Sequence, residues 1–394
     1  MRNVSGLDDR TISPHVRRKI LAAAAETHSY SRAEHMLEVL AEITFSARQI
    51  NRITDDAGRQ LREHQQQRVI LHQQRTLAVE VRNLPELAVV EFDGGRIRTR
   101  ATGHGSGTHE PAWKESKTAL FMRMTSPTHE ADPAEEPPRS LLDRDNVGRL
   151  ASEIAGASVP ISDDGDNIDP AVEAESCDDE TNSKYEPPRR LMRTCLASLD
   201  DSGVFGKMMA AEAHRKGFHQ AKRKAFVADG MKCNWTIQKT HFADYVPIVD
   251  FIHAVSYLYK ASVAIGGDED FGWGLCADWI RAAWQGRVSD VITELDDWLA
   301  SQSPMPADAA DDDPREVVRV ARGYLTNNRE RMNYPEYRRA GLPLTSTLME
   351  SLIKEMNYRV KGSEKFWNNP QGANHILAVK AAALSDDERL YTTK

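Results

Sequence analysis

The 394-residue chain reads as an α/β protein, with a helical unit ahead of its sheet and a second helical unit inserted within it. Three observations predict this class. LAVVEF at 87–92 is a largely apolar run with the length of a buried strand. Residues 224–264 alternate KAFVAD, a helix near 231–241, YVPIVD and a helix at 251–264, a strand–helix–strand–helix pattern. Residues 14–64 and 270–330 instead carry apolar residues at helical spacing.

The N-terminal unit is expected over 1–85. Val16, Ile20, Leu21 and Ala24 mark a first helix. Ser31 to Glu34 reads as a capping box, with Met36, Leu37, Leu40 and Ala41 on the apolar face that follows. Ser46 to Gln49 is a second capping box, and Ile50 and Ile53 turn inward. Arg48, Gln49, Asn51 and Arg52 stand at the start of that last helix. A short turn before such a helix is the helix-turn-helix pattern, in which these side chains would reach base edges in a major groove. A plain helical hairpin with a solvated face accounts equally for the spacing. A Gln-rich helix is expected to continue to residue 85 as a spacer.

The sheet region is expected over 86–264. After LAVVEF, Asp93-Gly94-Gly95 is expected to turn the chain, so that RIRTR opens a second strand. KTALFMRM at 117–124 and LMRTCLASL at 191–199 read as further strands. Between them lies a flexible insertion at about 125–190, rich in Pro, Ser and Asp, with a short helix at 146–157. A helix over 202–223 ends in the basic run HRKGFHQAKRK. An all-α insertion follows at 265–330, and its four tryptophans, Trp273, Trp279, Trp284 and Trp298, are expected to pack a helical core. The final unit, 331–394, holds a helix capped by Thr345 or Ser346 and running to Val360.

The formal charge of −8 conceals an uneven distribution. Residues 125–183 hold 16 acidic residues against 3 arginines, or −13, which leaves +5 for the remainder. An acidic total therefore does not exclude nucleic acid as a partner. No apolar run approaches the roughly 18 residues that would cross a membrane, and the first residues lack an apolar signal core, so a cytoplasmic location is expected. Cys177, Cys195, Cys233 and Cys276 lack metal-site spacing and are expected as thiols.

Apolar runs that end on aspartate carry the chemistry. A carboxylate at the end of a buried strand is costly unless it is bonded, paired or holding a metal. Asp229 and Asp250 end the two strands of the alternating segment, where such folds bind ligands. Asp93, Asp229 and Glu350 would suit a divalent-metal site for phosphodiester chemistry, with two ions about 4 Å apart on hard oxygen ligands. Among 59 acidic residues such a triple also arises by chance, and a glutamate in a first helical turn is favoured electrostatically in any case. His253 follows Asp250 by three residues as a supporting partner, since Mg²⁺ prefers oxygen. Arg96, Arg98, the basic run at 214–224, Lys354, Arg359, Lys361 and Lys365 are cations that would hold phosphate.

Taken together, EFDGGRIRTR, AFVADGMKCNWTIQKTHFADYVPIVDFIHAVSYLY, AAWQGRV, YLTNNRERMNYPEYRRAGLPLTSTLMES and RVKGSEKFW resemble a bacterial insertion-sequence transposase of the Mutator-like DDE class. The blocks are scattered from about residue 91 to residue 367. The resemblance implies an RNase H-like mixed sheet flanked by helices, with an N-terminal helix-turn-helix domain and an all-α insertion. It implies Asp93, Asp229 and Glu350 as the catalytic and metal-binding triad, with Asp250 and His253 as a supporting pair. The cofactor implied is Mg²⁺, two ions, with Mn²⁺ able to substitute. The partners implied are double-stranded DNA, as element ends and target, and a second copy of the chain. Arg48, Gln49, Asn51, Arg52, Arg96, Arg98, Lys354, Arg359 and Lys361 are then the expected DNA contacts. Related sequences often have glycine before the catalytic glutamate, whereas this chain has Thr345-Ser-Thr-Leu-Met-Glu350. A nuclease without strand transfer and a non-catalytic DNA-binding descendant remain the alternatives.

Overall fold

A computed structural model describes residues 12–81, 83–100, 112–158, 185–267, 269–306, 310–361 and 365–392. Its centre is a five-stranded mixed sheet in the order β3-β2-β1-β4-β5. The strands are β1 (Leu87–Thr99), β2 (Ala112–Thr125), β3 (Arg189–Ser198), β4 (Arg223–Ala228) and β5 (Val246–Val249). β2 runs antiparallel to both neighbours, while β1, β4 and β5 are parallel. The arrangement is compatible with the RNase H-like core that the resemblance implies.

Three helices precede the sheet: α1 (Pro14–Glu26), α2 (Tyr30–Ala41) and α3 (Ala47–Gln73). The capping box at Ser46 and Gln49 forms as its spacing predicts. The one expected at Ser31 does not. Ser29 caps α2, and Glu34 instead accepts the Ala47 amide at 2.8 Å, which latches α2 to the start of α3. Leu40 is also misplaced by the periodicity: Ala33 and Leu37 are buried, but Leu40 is 72% exposed. α3 stops at Gln73 rather than running to 85. Arg75 takes a left-handed φ of 58°, and the Thr76 amide folds back to the Leu71 carbonyl, so the chain leaves extended toward the sheet.

The Asp93-Gly94-Gly95 stretch is not a turn. β1 continues through it in register with β2, pairing Gly94 with Lys117 and Gly95 with Ser116. A Cβ on Gly94 would meet Glu115 Oε1 at 3.2 Å, and one on Gly95 would meet Ser116 Oγ at 3.3 Å. These glycines make room for β2 side chains, and RIRTR lies on the same strand.

α4 (Arg144–Ser158) lies within the acidic insertion, of which residues 159–184 fall outside the described residues. α5 (Ser202–Arg215) packs on the Phe92 face of the sheet through Phe205. It ends at Arg215, two residues into the basic run rather than at residue 223, and Gly217 then takes φ 67°. α6 (Lys232–His241) links β4 to β5, and α7 (Phe251–Gly266) follows. The helical insertion comprises α8 (Glu269–Trp284), α9 (Val288–Ser301) and α10 (Pro314–Asn328). Trp279 and Trp284 are buried, and Trp273 and Trp298 pack against the core, as helical packing requires.

The chain closes with α11 (Tyr334–Arg339), α12 (Thr347–Val360), α13 (Pro370–Ala383) and α14 (Arg389–Thr392). α3 and α13 pack so closely that Gly58 has no room for a Cβ against His375. Arg62 on α3 reaches Asp200 Oδ2 at 2.6 Å, just beyond β3. Cys195, Cys233 and Cys276 are free thiols, and Cys177 lies outside the described residues. Among the described residues no helix is long and apolar enough to cross a membrane.

Candidate functional site

The last paired positions across the parallel strands are Phe92 with Ala228 and Ala228 with Val249. The next residue along each strand is an aspartate. Asp93, Asp229 and Asp250 therefore form a row at the carboxyl end of β1, β4 and β5, and residues in parallel register share a face.

Asp229 is held by its own loop. Its Oδ1 accepts the Met231 amide at 3.0 Å and Asn234 Nδ2 at 2.6 Å. The Tyr324 hydroxyl donates to the Asp229 carbonyl at 3.0 Å, and Tyr257 stacks on Tyr324 at 3.9 Å. Gly230 adopts φ 93°, and a Cβ there would meet Tyr324 Cε2 at 2.7 Å. The space beside Gly230 is thus filled by a tyrosine.

Asp250 and His253 form a pair, but each does a different job. Asp250 is fully buried and caps α7 by accepting the Ile252 amide at 2.7 Å. Its Oδ2 accepts the Ser346 amide at 2.8 Å and also the Ser346 hydroxyl. Ser346 was expected to cap α12 with its side chain, and its hydroxyl is turned to Asp250 instead. Burial alone would raise the Asp250 carboxyl, but the imidazole of His253 and the Ser346 donors hold it below the usual range. His253 Nδ1 lies 3.5 Å from Asp250 Oδ2, an ion pair without hydrogen-bond alignment. Burial opposes its charge, yet Asp250, Asp229 and Asp93 together lift the imidazole to about 9.

Glu350 lies in the first turn of α12. Glu350, Asp250 and His253 each bring one ligand atom within 4.8 Å of the others. Asp229 also acts on Asp93, and both aspartates act on His253. His253 thus acts on Asp93, Asp229 and Glu350 alike, but among the described residues the ligand atoms that come together are those of Asp250, His253 and Glu350, not those of the expected Asp93, Asp229 and Glu350 triad. Burial, then the neighbouring Asp229, raises Asp93 to about 6. Burial, then Asp250, raises Glu350 to about 7. Asp229 is raised as well, chiefly by burial.

Sequence reasoning missed Glu91. It lies two residues before Asp93 on β1, hence on the same face, and is 1% exposed. The Met349 amide, in the first turn of α12, favours its charged form. Its Oε2 finds no partner among the described residues, and burial with Asp250 nearby pushes the acid well above its ordinary range. Strand alternation from Asp93 was the available signal.

Asp93, Asp229 and Glu350 make no salt bridge to Lys or Arg among the described residues. Together with the unpartnered Glu91 Oε2 and His253 Nδ1, this leaves a buried excess of negative charge and oxygen donors. Such a set fits a hard divalent cation.

The expected DNA contacts divide. Arg48, Gln49, Asn51 and Arg52 are exposed at the start of α3. Gln49 Oε1, however, accepts from the Ser46 amide and hydroxyl, both at 2.9 Å, so only its amino group is free to read a base. Arg96 and Lys354 are exposed, with Glu153 of α4 3.5 Å from Lys354. Arg98 is half-buried beneath Trp113, and Lys361 is half-buried. Arg359 is a correction: it is 2% exposed, donates to the Ala24 carbonyl at 2.8 Å and lies over Tyr30, so it fixes helices and cannot reach a phosphate. Most of the basic run at 214–224 is likewise consumed, although Lys222 is exposed. Arg215 and Lys216 are buried in ion pairs, Arg223 bonds Ser126 and Ala340, and Lys224 pairs with Asp244.

No protein-family model matches the chain. No curated protein matches it either. Among solved structures it is similar to the Drosophila P element transposase strand transfer complex, at 10% identity and TM-score 0.38, covering 98% of this chain and 95% of that one. So loose a likeness carries no argument, and the functional reading rests on the residues themselves.

Proposed function

We propose that the chain is a DDE-type DNA transposase of the Mutator-like insertion-sequence class, acting in the cytoplasm. The observation that carries this reading is the row of Asp93 and Asp229 at the carboxyl end of the parallel strands, with no Lys or Arg salt bridge among the described residues and with His253 as a cation they share with Glu350. Asp93, Asp229 and Glu350 would hold two Mg²⁺ ions, or Mn²⁺ in their place. Bound there, the metals would supply an activated oxygen nucleophile and support for the leaving oxygen.

The remaining residues bind and orient. Asp250 spends its oxygens on Ile252 and Ser346, so it positions the helix of Glu350 rather than acting as a ligand. His253 stabilises the acid cluster by its charge. Arg96, Arg98, Lys354 and Lys361 are the backbone contacts nearest the acids in this reading, and α2 and α3 form the helix-turn-helix with Arg48, Asn51 and Arg52 toward DNA. The substrates are double-stranded element ends and target, held by a dimer of the chain.

The test is a strand-transfer assay with Mn²⁺, using labelled DNA from either side of the gene and a plasmid target. Joining of a labelled 3′-OH end to the plasmid is the expected result. Cutting without joining would make the protein a nuclease. Binding without cutting would make it a non-catalytic descendant.

A further inference from the structure

A second built feature lies away from the acids. The start of α3 and residues 366–369 face each other across a groove of about 650 Å³, within the usual range of small-ligand sites, about 300–1,000 Å³. One wall carries Arg48, Asn51 and Arg52, and the other carries Phe366, Trp367 and Asn368. Neither arginine forms an ion pair among the described residues.

The aromatic wall is rigidly mounted. The Trp367 amide donates to the Arg98 carbonyl at 3.1 Å, and Arg100 donates back to the Trp367 carbonyl at 3.0 Å. Trp367 Nε1 donates to the Val360 carbonyl at 2.9 Å. Arg359 lies 4.5 Å from the Tyr30 ring and 5.9 Å from the Trp367 ring, and so ties α2 to the aromatic wall. On this frame Phe366 stays 38% exposed. An open aromatic ring beside two arginines is the combination that holds single-stranded nucleic acid, a stacking platform next to cations for the backbone.

We propose that this groove takes an unpaired nucleotide of DNA, with its base stacked on Phe366 and its phosphate between Arg48 and Arg52. The inference takes its partner class from the transposase reading. Paired bases are stacked inside a duplex and cannot lie on an aromatic side chain, whereas a single-stranded base can. The phosphate is held by the arginines rather than the helix end, because Glu34 accepts the Ala47 amide and Ser46 the Gln49 amide of α3. Asp55 also lines the groove, and His375 Nδ1 bonds one of its oxygens at 2.8 Å.

Fluorescence anisotropy on the full chain in EDTA tests this without any cutting. The probes are a blunt duplex and the same duplex with a single-stranded overhang of about five nucleotides. Wild type binds the overhang more tightly. Phe366→Ala loses this advantage, about 10-fold, as the loss of one stacked base implies. Its salt slope is unchanged. Phe366→Leu, which keeps apolar bulk without a ring, loses it too. Arg52→Ala lowers the salt slope by about 0.7. Equal binding of both probes by wild type, or an unchanged overhang advantage in Phe366→Leu, overturns the proposal. These readouts need no metal, so a failure of strand transfer with intact overhang binding refutes only the transposase reading, and the reverse refutes only the groove.

Discussion

Asp250 Oδ2 accepts the Ser346 amide at 2.8 Å, joining residues 96 apart in sequence. The bond ties the end of β5 to the start of α12 and so places Glu350 beside His253. Removing Asp250 would leave His253 buried without its partner and uncap α7. Asp250→Ala should cost roughly 3–5 kcal/mol in urea unfolding, and Ser346→Ala about 1 kcal/mol. Equal losses in the two variants would mean that the carboxylate has no role beyond the Ser346 bond.

Gly230 should tolerate no side chain. Its φ of 93° and the 2.7 Å approach to Tyr324 both oppose a Cβ. Gly230→Ala should lose ~1–3 kcal/mol, with a lowered thermal midpoint. It should also impair cutting, since the residue adjoins Asp229. An alanine variant with wild-type melting and activity would show that the loop adapts freely.

Two cations on α12 should behave in opposite ways. Lys354 is exposed, so Lys354→Ala should leave stability within about 0.5 kcal/mol while lowering the salt slope of DNA binding by about 1. Arg359 is buried over Tyr30 and bonded to Ala24. Arg359→Ala should cost roughly 1–3 kcal/mol through the lost buried hydrogen bond and packing, a loss visible in chemical denaturation. An Arg359→Ala protein that melts like wild type would contradict a structural role for this side chain.

Acid should release the C-terminal end first. Glu212 is buried between Arg215 and Arg389, and Lys216 holds Asp387 at 2.7 Å. Burial alone would raise the Glu212 carboxyl, but the two arginines hold it well below the usual carboxylate range. A depressed carboxylate contributes stability that is full above the unfolded value, about 4.5, and fades as pH falls below it. Hydrogen-exchange protection across residues 370–392, taken relative to intrinsic amide rates at each pH, should therefore fall below about pH 4.5. Glu212→Gln should show fast exchange already at neutral pH. Uniform exchange across the chain at low pH would contradict a local release.

Much of the site was legible because strand-end aspartates and a capped helix announce themselves locally. LAVVEF, KAFVAD and YVPIVD became β1, β4 and β5, and the helix from Ser346 to Val360 stands as read. Asp93-Gly94-Gly95 was misread because glycines suit a turn, while their actual use depends on β2 side chains that no local pattern reveals. Arg359 and the basic run at 214–224 look like phosphate contacts in sequence, since their burial is decided by Tyr30, Glu212 and Asp387 from distant segments. Glu91 was hidden for the opposite reason, as one acid inside an apolar run.

Asp229→Asn is the most direct probe of the central claim. It keeps the side-chain shape and one carbonyl oxygen for Met231 and Asn234 but removes a metal-binding charge. The measurement is Mn²⁺-dependent cutting of DNA taken from either side of the gene, by wild type and by an Asp229→Asn protein verified as folded and DNA-bound. Wild type should cut, and the variant should fall by at least ~10³-fold. Cutting at the wild-type rate by Asp229→Asn would contradict the account.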